Sequence, residues 1–437
     1  MASTPTPPPT GIGILGLGTI GTGTARVLDE NGSLIADRIG HPLRLVAAAD
    51  LDPDRDRAVD LSTCLLTTQP EQVVDHPEVR VVVELIGGTT LARDLVVRAL
   101  KAGKSVVTAN KALLAHHGDE LTRLAAENGV ALRFEAAVGG GIPIIKALTK
   151  GLIANRIDAV YGIVNGTCNY ILTEMAASGA PFDAVLAEAS RLGYAEADPT
   201  FDIEGIDAAH KAAILARLAF DTPVDFDAIP VEGISRLTTI DTDFARQLGY
   251  VVKLLAIAKR AGSRVDVRVH PTMLPEGHLL AKVDGVFNAV VVKGNAVGET
   301  LYYGAGAGAM PTASAVVADI AEVATALARG DARAADPCAH RVVERRELLP
   351  LEEVETGYYL RFEAQDRPGV LSRISGILGA HQISIAQVRQ HGRDREGTVP
   401  LVILTHRARE GSLRQALTEI ESLGVIDGGA VVIRVEQ

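Results

Sequence analysis

One Gly-rich turn, Gly16-Leu17-Gly18-Thr19-Ile20-Gly21, constrains the fold of this 437-residue chain more than any other feature. Residues 11–15 before it read as a strand, residues 19–29 after it as a helix, and residues 43–49 as a second strand. Glycines at these intervals let the backbone turn tightly and approach a pyrophosphate, whose charge then meets the N–H groups at the helix start. The alternative is a strand-to-helix turn with no ligand, and the strand-helix-strand context favours a nucleotide over it.

The alternation continues down the chain. Strands at 79–86, 105–109 and 131–134 alternate with helical stretches at 90–101 and 111–128, the pattern of a doubly wound α/β domain running from 11 to 135. From 136 to 303, helices such as 182–192 and 206–220 precede strand-like runs at 264–270 and 289–293, which reads as a second, α+β domain. A Gly/Ala-rich turn and an apolar helix from 311 to 329, ended by Gly330, fill 304–330 and could return to pack on the first domain. The charged, irregular stretch 331–355 reads as a linker, and 356–437 follow the order β-α-β-β-α-β of a ferredoxin-like unit. Residues 1–10 read as a disordered lead.

The net charge is −11 and no Lys/Arg block could track a phosphate backbone, which argues against nucleic acid as a partner. Cys64, Cys168 and Cys338 lie far apart, with neither metal-ligand spacing nor a disulfide framework, so a reducing cytoplasm is expected. The N-terminus lacks the basic and apolar regions of a signal peptide, and no apolar run approaches the length of a membrane span, so no membrane is expected.

Four places outside the turn carry candidate chemistry. Asp50 follows the second strand, where an acid can accept from both ribose hydroxyls and would repel a 2′-phosphate, while Arg55 and Arg57 lie close enough in sequence to attract one. All three also read as solvated loop charges, so NAD and NADP both stay open. Lys111, at the carboxyl end of a strand, either faces a ligand or stands exposed on the first turn of a helix. Between Gly193 and Lys211 an acid-rich loop feeds a helix on which Asp207 and Lys211, four residues apart, share one face. On a surface that pair is an ordinary helix salt bridge; in a cleft it is a lysine held by a carboxylate and suited to proton transfer. Glu196 in the same loop either takes a substrate ammonium or meets water.

Several motifs in order make a more specific pattern. These are the Gly-rich turn, Glu84-Leu85-Ile86-Gly87-Gly88, Thr108-Ala109-Asn110-Lys111, the run from Glu135 to Pro143, Asn165-Gly166-Thr167-Cys168-Asn169-Tyr170, and the Glu196 to Lys211 block. Over nearly all of residues 11–437 the chain resembles homoserine dehydrogenase of the form that carries a C-terminal ACT domain. The resemblance implies an α/β Rossmann domain, an α+β catalytic and dimerisation domain, and a ferredoxin-like (βαββαβ) ACT domain. It implies reversible NAD(P)-dependent interconversion of L-aspartate 4-semialdehyde and L-homoserine, in threonine, methionine and isoleucine biosynthesis.

By the same resemblance Lys211 is the catalytic acid/base, Asp207 positions it and contacts substrate, Glu196 binds the substrate amino group, and Lys111 lies between cofactor and substrate. Thr167 and Asn169 line the substrate pocket. The cofactor, NADP or NAD, rests on Gly16, Leu17, Gly18, Thr19, Ile20 and Gly21, with Asp50, Arg55 and Lys111 beside it and Gly306 and Gly308 as a second backbone approach. Glu135, Val138, Gly140 and Ile142 match positions that hold a structural monovalent cation, sodium or potassium, through hard oxygen ligands. Glu135 as a plain hydrogen-bonding acid is the alternative. Around Asp366-Arg367-Pro368-Gly369-Val370-Leu371 a strand turns into a helix, and Asp366, Gly369, Val370 and Leu371 would receive an effector, L-threonine by family expectation. An ACT domain kept for assembly alone is the alternative. A homodimer or homotetramer is implied.

One departure bears on the cofactor. Many relatives that use NADP carry an arginine just after the second strand, where this chain has Ala49-Asp50, which argues against strict NADP preference. Two further readings stay in view. Another amino-acid dehydrogenase with an ACT domain, such as phosphoglycerate dehydrogenase, would need a His/Glu acid–base pair that the Lys211 block does not supply. Against a nucleotide-binding amino-acid sensor without turnover, Asp207 and Lys211 speak together.

Overall fold

A computed structural model describes residues 8–338, 344–390 and 397–436. It falls into two compact units: Met1–Val160 with Ala213–Asp227 and Asn288–Arg345, and Tyr161–Ala212 with Ala228–Phe287 and Arg346–Gln437. Residues 1–7 of the expected lead and 339–343 of the expected linker lie outside the described residues. Thr10, placed in the lead by sequence, belongs to the first strand, where its amide bonds to the Pro42 carbonyl at 2.9 Å.

The first unit is built on a six-stranded parallel sheet. Its strands are Thr10–Leu15 (β1), Leu43–Ala49 (β2), Leu65–Thr67 (β3), Val79–Glu84 (β4), Ser105–Thr108 (β5) and Leu132–Arg133 (β6), in the order β3-β2-β1-β4-β5-β6. The order reverses at β1 and β4, so the crevice outside their carboxyl ends is where a doubly wound sheet binds ligands. β1 and β4 are near-continuous apolar runs because both faces of the sheet are covered: Ile12, Ile14, Val81 and Val83 are fully buried. Helices Thr19–Ile39 (α1), Pro70–Asp75 (α2), Leu91–Lys101 (α3) and Lys111–Glu127 (α4) join the strands.

Helix Ala309–Ala328 belongs to the same unit and packs against α1 at a glycine: a Cβ on Gly23 would stand 3.0 Å from the Ala309 carbonyl. By length and composition this helix could cross a membrane, against the expectation that no apolar run is that long. Its Val316, Ile320 and Val323 lie instead in one cluster with Ile12, Ile14, Val81 and Val83, the position of a core helix. The stretch read as a linker is fastened where it begins. Arg133 donates to the Ala335 carbonyl at 2.9 Å and the Leu132 amide donates to Asp336 at 3.1 Å, so 331–336 closes the edge of β6.

In the second unit, strands Tyr250–Ala261 and Arg264–Pro275 form a long antiparallel hairpin. The C-terminal βαββαβ element continues that sheet. Strand Ile426–Val435 pairs in parallel with Arg264–Pro275 through Arg434 opposite Thr272 and Val435 opposite Met273, and Glu355–Gln365, Thr398–Thr405 and Ile385–Gln390 follow in order. Along Glu355–Gln365 the side chains alternate between two buried faces. Tyr358, Leu360, Phe362 and Ala364 enter the core under helices Val370–Ala380 and Glu410–Ser422. Tyr359 and Arg361 point the other way and bond to Asp241, which caps helix Thr239–Gln247. Residues 347–349, also read as linker, are paired to the edge of the hairpin through the amide and carbonyl of Val265.

Candidate active site

The three glycines of the turn meet three different demands. Gly16 has φ +94, a left-handed conformation that side chains disfavour, and a Cβ on Gly21 would lie 1.9 Å from the Gly16 carbonyl, so helix and turn touch backbone to backbone. Around Gly18 a Cβ would meet nothing within 4 Å, and no side chain caps the helix there, which leaves α1 as an uncapped N-terminus suited to an anion. Thr19 and Ile20 open the helix, whereas the Leu17 side chain is buried in the core.

Asp50 stands one residue beyond β2 and is tied to this turn. Its carboxylate accepts from the Leu17 amide at 2.7 Å and the Asp52 amide at 3.0 Å, and pairs with Arg57 at 3.0 Å. Burial works to raise the Asp50 carboxyl, but those two amides and the guanidinium outweigh it and hold it below the usual carboxylate range. Arg57 is itself sunk beneath the loop with 3% of its side chain exposed. Nε donates to Leu17 O, Nη1 to Pro53 O and Arg55 O, and Nη2 to Asp52 O and Asp50, which engages all five donors of a guanidinium. Arg55 is exposed.

The neighbouring loops are ordered by Glu84, fully buried at the end of β4. Its carboxylate accepts from the amides of Ile86 and Gly87 and from Thr108 Oγ, which ends the strand at Glu84 rather than at residue 86 as the sequence suggested. Asn110 caps α4 through the Leu113 amide and donates to the Gly88 carbonyl, so the β4 and β5 loops are joined just before Lys111, the half-buried first residue of α4. In the sequence Glu84 stands only as the first residue of a motif, with no local sign of this role.

Glu135, Val138, Gly140 and Ile142 lie on one turn after β6. Both Glu135 carboxylate oxygens accept backbone amides, from Ile145 at 2.8 Å and Lys146 at 2.9 Å, so the hydrogen-bonding role set out as the alternative is present. Burial, with Asp319 nearby, nevertheless pushes Glu135 up to about 7, the state of a carboxylate with too little positive charge beside it. A carboxylate and backbone carbonyls form a hard donor set with lone pairs to spare, so the turn fits a monovalent cation. The same turn abuts the second Gly-rich segment: a Cβ on Gly140 would fall 2.6 Å from the Gly306 carbonyl group, and the Gly141 amide bonds to Ala305 O at 3.1 Å. Gly306 in turn leaves no room for a Cβ, which would meet Asn288 at 2.0 Å, and Gly308, φ +118, starts helix Ala309–Ala328.

In the second unit the Asp207–Lys211 pair is buried rather than solvated. Lys211 Nζ donates to Asp207 Oδ2 at 2.7 Å and to the Val164 carbonyl at 2.6 Å, with 11% and 5% of the two side chains exposed. Asn165 holds the cluster together. Its Oδ1 caps helix Gly166–Ser178 at the Cys168 amide, and its Nδ2 donates to Asp207 at 2.9 Å and Asp202 at 2.7 Å. Burial, with a contribution from Asp207, raises Asp202 above its ordinary range against the pull of Asn165, Lys211 and Thr167. Thr167 Oγ donates to the Tyr194 carbonyl at 2.6 Å and contacts Asp202 at 3.3 Å, tying the acid-rich loop to the cluster. Asn165 and Asp202 were missed as site residues; an Asn ahead of Gly-Thr-Cys is a helix-cap signal that could have found the first.

Two expected substrate residues, Asn169 and Glu196, make no side-chain bond to the Lys211–Asp207 pair among the described residues. Asn169 Nδ2 donates to the carbonyls of Val283 and Gly285, and its Oδ1 accepts from the buried Lys253. Lys253 also donates to Val283 O at 2.6 Å and pairs with Asp284 at 3.2 Å, so Asn169 and Lys253 together fasten the 283–287 loop. Glu196 is exposed and makes no hydrogen bond to Asp202, Asp207 or Lys211 among the described residues. At the C-terminal turn Asp366 and Gly369 are exposed, Gly369 with φ +89, and Leu371 is exposed, while the Val370 side chain is 7% exposed and points into the core; of Val370 only the backbone could meet an effector.

Three family models match the chain: "Homoserine dehydrogenase, NAD binding domain" over residues 16–135, "Homoserine dehydrogenase" over 143–321 and "ACT domain" over 358–425. A homoserine dehydrogenase of Neisseria gonorrhoeae is 48% identical over 437 residues, covering 98% of this chain and 99% of its own length. One of Pseudomonas aeruginosa is 48% identical over 432 residues, with the same coverage. Among solved structures, a homoserine dehydrogenase from Thiobacillus denitrificans superposes with a TM-score of 0.92 at 51% identity over 98% of this chain and 99% of that one. A hyperthermophilic archaeal homoserine dehydrogenase in complex with NADPH superposes with a TM-score of 0.61 at 30% identity over 72% of this chain and 97% of that one.

Proposed function

The chain belongs to the homoserine dehydrogenase family, oxidoreductases with a nicotinamide-nucleotide-binding domain, and from that premise we propose that Lys211 is the acid and base of its reaction. The observation that carries this is the buried Lys211–Asp207 pair, in which Val164 O and Asp207 take two N–H donors of Nζ and leave its third position for the substrate oxygen, a lone pair in the neutral amine and an N–H in the ammonium. In the oxidation of L-homoserine to L-aspartate 4-semialdehyde the neutral amine of Lys211 takes the hydroxyl proton as hydride leaves the carbon that bears the hydroxyl; in the reduction the ammonium returns the proton to the carbonyl oxygen. Bound nicotinamide supplies the hydride acceptor or donor. Asp207, held by Asn165, fixes where Nζ stands. Glu196 takes the substrate ammonium, Thr167 holds the loop that brings it, and Lys111 serves on the cofactor side.

For the cofactor, the geometry supports NAD over NADP. Asp50 presents a carboxylate at the end of β2, and Arg57 spends its donors on the loop beneath it, which leaves exposed Arg55 as the guanidinium for a 2′-phosphate. A sodium or potassium ion on Glu135 and the carbonyls of Val138, Gly140 and Ile142 completes the first unit structurally. L-Threonine binds the turn Asp366–Leu371 and restrains the enzyme, which acts as a homodimer or homotetramer in threonine, methionine and isoleucine synthesis. Initial rates with L-homoserine and each nucleotide, with and without L-threonine, test the reading. It expects faster reduction of NAD+ than NADP+ and slowing by threonine. No homoserine-dependent reduction of either nucleotide would refute it.

A further inference from the structure

The acid/base cluster is held from a direction that the reaction itself does not explain. Residues 203–205 lead directly into the helix that carries Asp207 and Lys211, and the Gly205 carbonyl accepts the Ala209 amide of its first turn. Against them lies the segment 231–234, backbone on backbone. The Ile234 amide bonds to Ile203 O at 2.8 Å, a Cβ on Gly233 would come within 2.4 Å of the same carbonyl, and one on Gly205, φ +81, would meet Val231 at 3.1 Å. Such contacts have no slack, so where 231–234 goes, Ile203 and the adjoining Asp202 go too.

That segment is gripped by the C-terminal domain. Arg434, on the strand that pairs with Arg264–Pro275, makes a two-pronged contact with Glu232, Nη1 to Oε2 and Nη2 to Oε1, both at 2.8 Å. Its remaining reach goes to Glu410, Nε at 2.9 Å and Nη2 at 2.6 Å, and Glu410 also accepts from Tyr358 OH. Arg434 and Glu410 are buried and Glu232 is 44% exposed, so the fork is clamped rigidly on the ACT side and presents its free edge to Glu232.

Resting on the functional reading above, we propose that Arg434 is a positioning residue of the catalytic cluster: through Glu232 it sets the 231–234 segment, through that segment Ile203 and Asp202, and through Asn165 the Asp207–Lys211 pair. The ACT domain thereby supplies a working part of the active site as well as whatever it binds. Glu232→Gln is the cleanest probe, because it leaves Arg434 its buried partner Glu410 and should not unfold the chain.

The experiment measures kcat/KM for L-homoserine, the pH profile of kcat, and cofactor-binding stoichiometry by titration on the full-length wild type, Glu232→Gln, Gly233→Ala, Arg434→Lys and Arg434→Met. The expected result is about a tenfold or greater fall in kcat/KM with a displaced pH limb in Glu232→Gln and Gly233→Ala, at unchanged cofactor stoichiometry. Arg434→Lys should recover part of what Arg434→Met loses. Wild-type kinetics in Glu232→Gln and Gly233→Ala would overturn the proposal, as would rate losses that only track lost cofactor stoichiometry. An inactive wild type would sink the functional reading and this inference with it, whereas an active wild type with indifferent variants would sink this inference alone.

Discussion

At the scale of single residues, environment decides what a side chain can do, and two acids of the first unit show it. Asp50 is held ionised by amides and Arg57, and through the Leu17 amide it is also part of the turn's geometry. Asp50→Ala is therefore expected to weaken the use of NAD more than of NADP, measured as kcat/KM with each; equal losses would mean that Asp50 shapes the turn without reading the ribose. Glu135 is the opposite case. Its folded pKa is raised from 4.5 to about 7, so between those values the folded chain keeps a proton that the unfolded chain has released, and stability falls as pH rises through the window. The loss amounts to about 3 kcal/mol above pH 7. Glu135→Gln should flatten that slope in denaturant unfolding followed from acid to neutral pH. Replacing an organic cation by sodium or potassium should stabilise the wild type near pH 8 more than near pH 5, and leave Glu135→Gln indifferent. The Gly-rich turn was legible in sequence because left-handed φ and close approach each demand glycine locally. The duties of Arg57, Glu84 and Asn165 were not fully legible, because each joins near neighbours to a partner more than twenty residues away, Leu17, Thr108 and Asp207 in turn, that only the fold brings close.

Elements were legible where one period dominates. Five strands of the parallel sheet and the helix Ile206–Phe220 stand out as apolar runs or faces, and their bounds drift by a residue or two where side chains intervene, as Glu84 does at the end of β4, whereas the three-residue edge strand β3 is too short to show a period. Helices Gly166–Ser178 and Thr239–Gln247 and strand Tyr250–Ala261 were not resolved from the surrounding apolar sequence. Strand Glu355–Gln365 shows why alternation alone is not enough: both of its faces are buried, one on apolar helices and the other on a buried ion pair between Arg361 and Asp241, Nε to Oδ1 at 2.7 Å. Asp241 also closes the capping box of helix Thr239–Gln247. Removing it leaves the buried guanidinium only the part-exposed Glu363 as a charged partner, so Asp241→Ala should cost roughly 3 kcal/mol in denaturant unfolding, and a loss under about 1 kcal/mol would show that Glu363 and water repair the site.

At the scale of the whole molecule, labour is divided by unit: the first holds the nucleotide-binding domain, and the second holds the buried Lys211–Asp207 pair, proposed above as acid and base, together with the C-terminal domain that continues its sheet. That continuation was invisible in sequence, since the pairing of Arg434 with Thr272 joins residues far apart in the chain and leaves no local pattern. The division makes a sharp demand on Lys211. A change there should leave nucleotide binding alone and remove turnover. The direct measurement is homoserine-dependent nucleotide reduction by wild type and Lys211→Ala, with nucleotide affinity titrated on both. Equal affinity and a fall in kcat of about 10²–10⁴-fold are expected for the variant. Turnover by Lys211→Ala within a few-fold of wild type would contradict the role of Lys211 as acid and base.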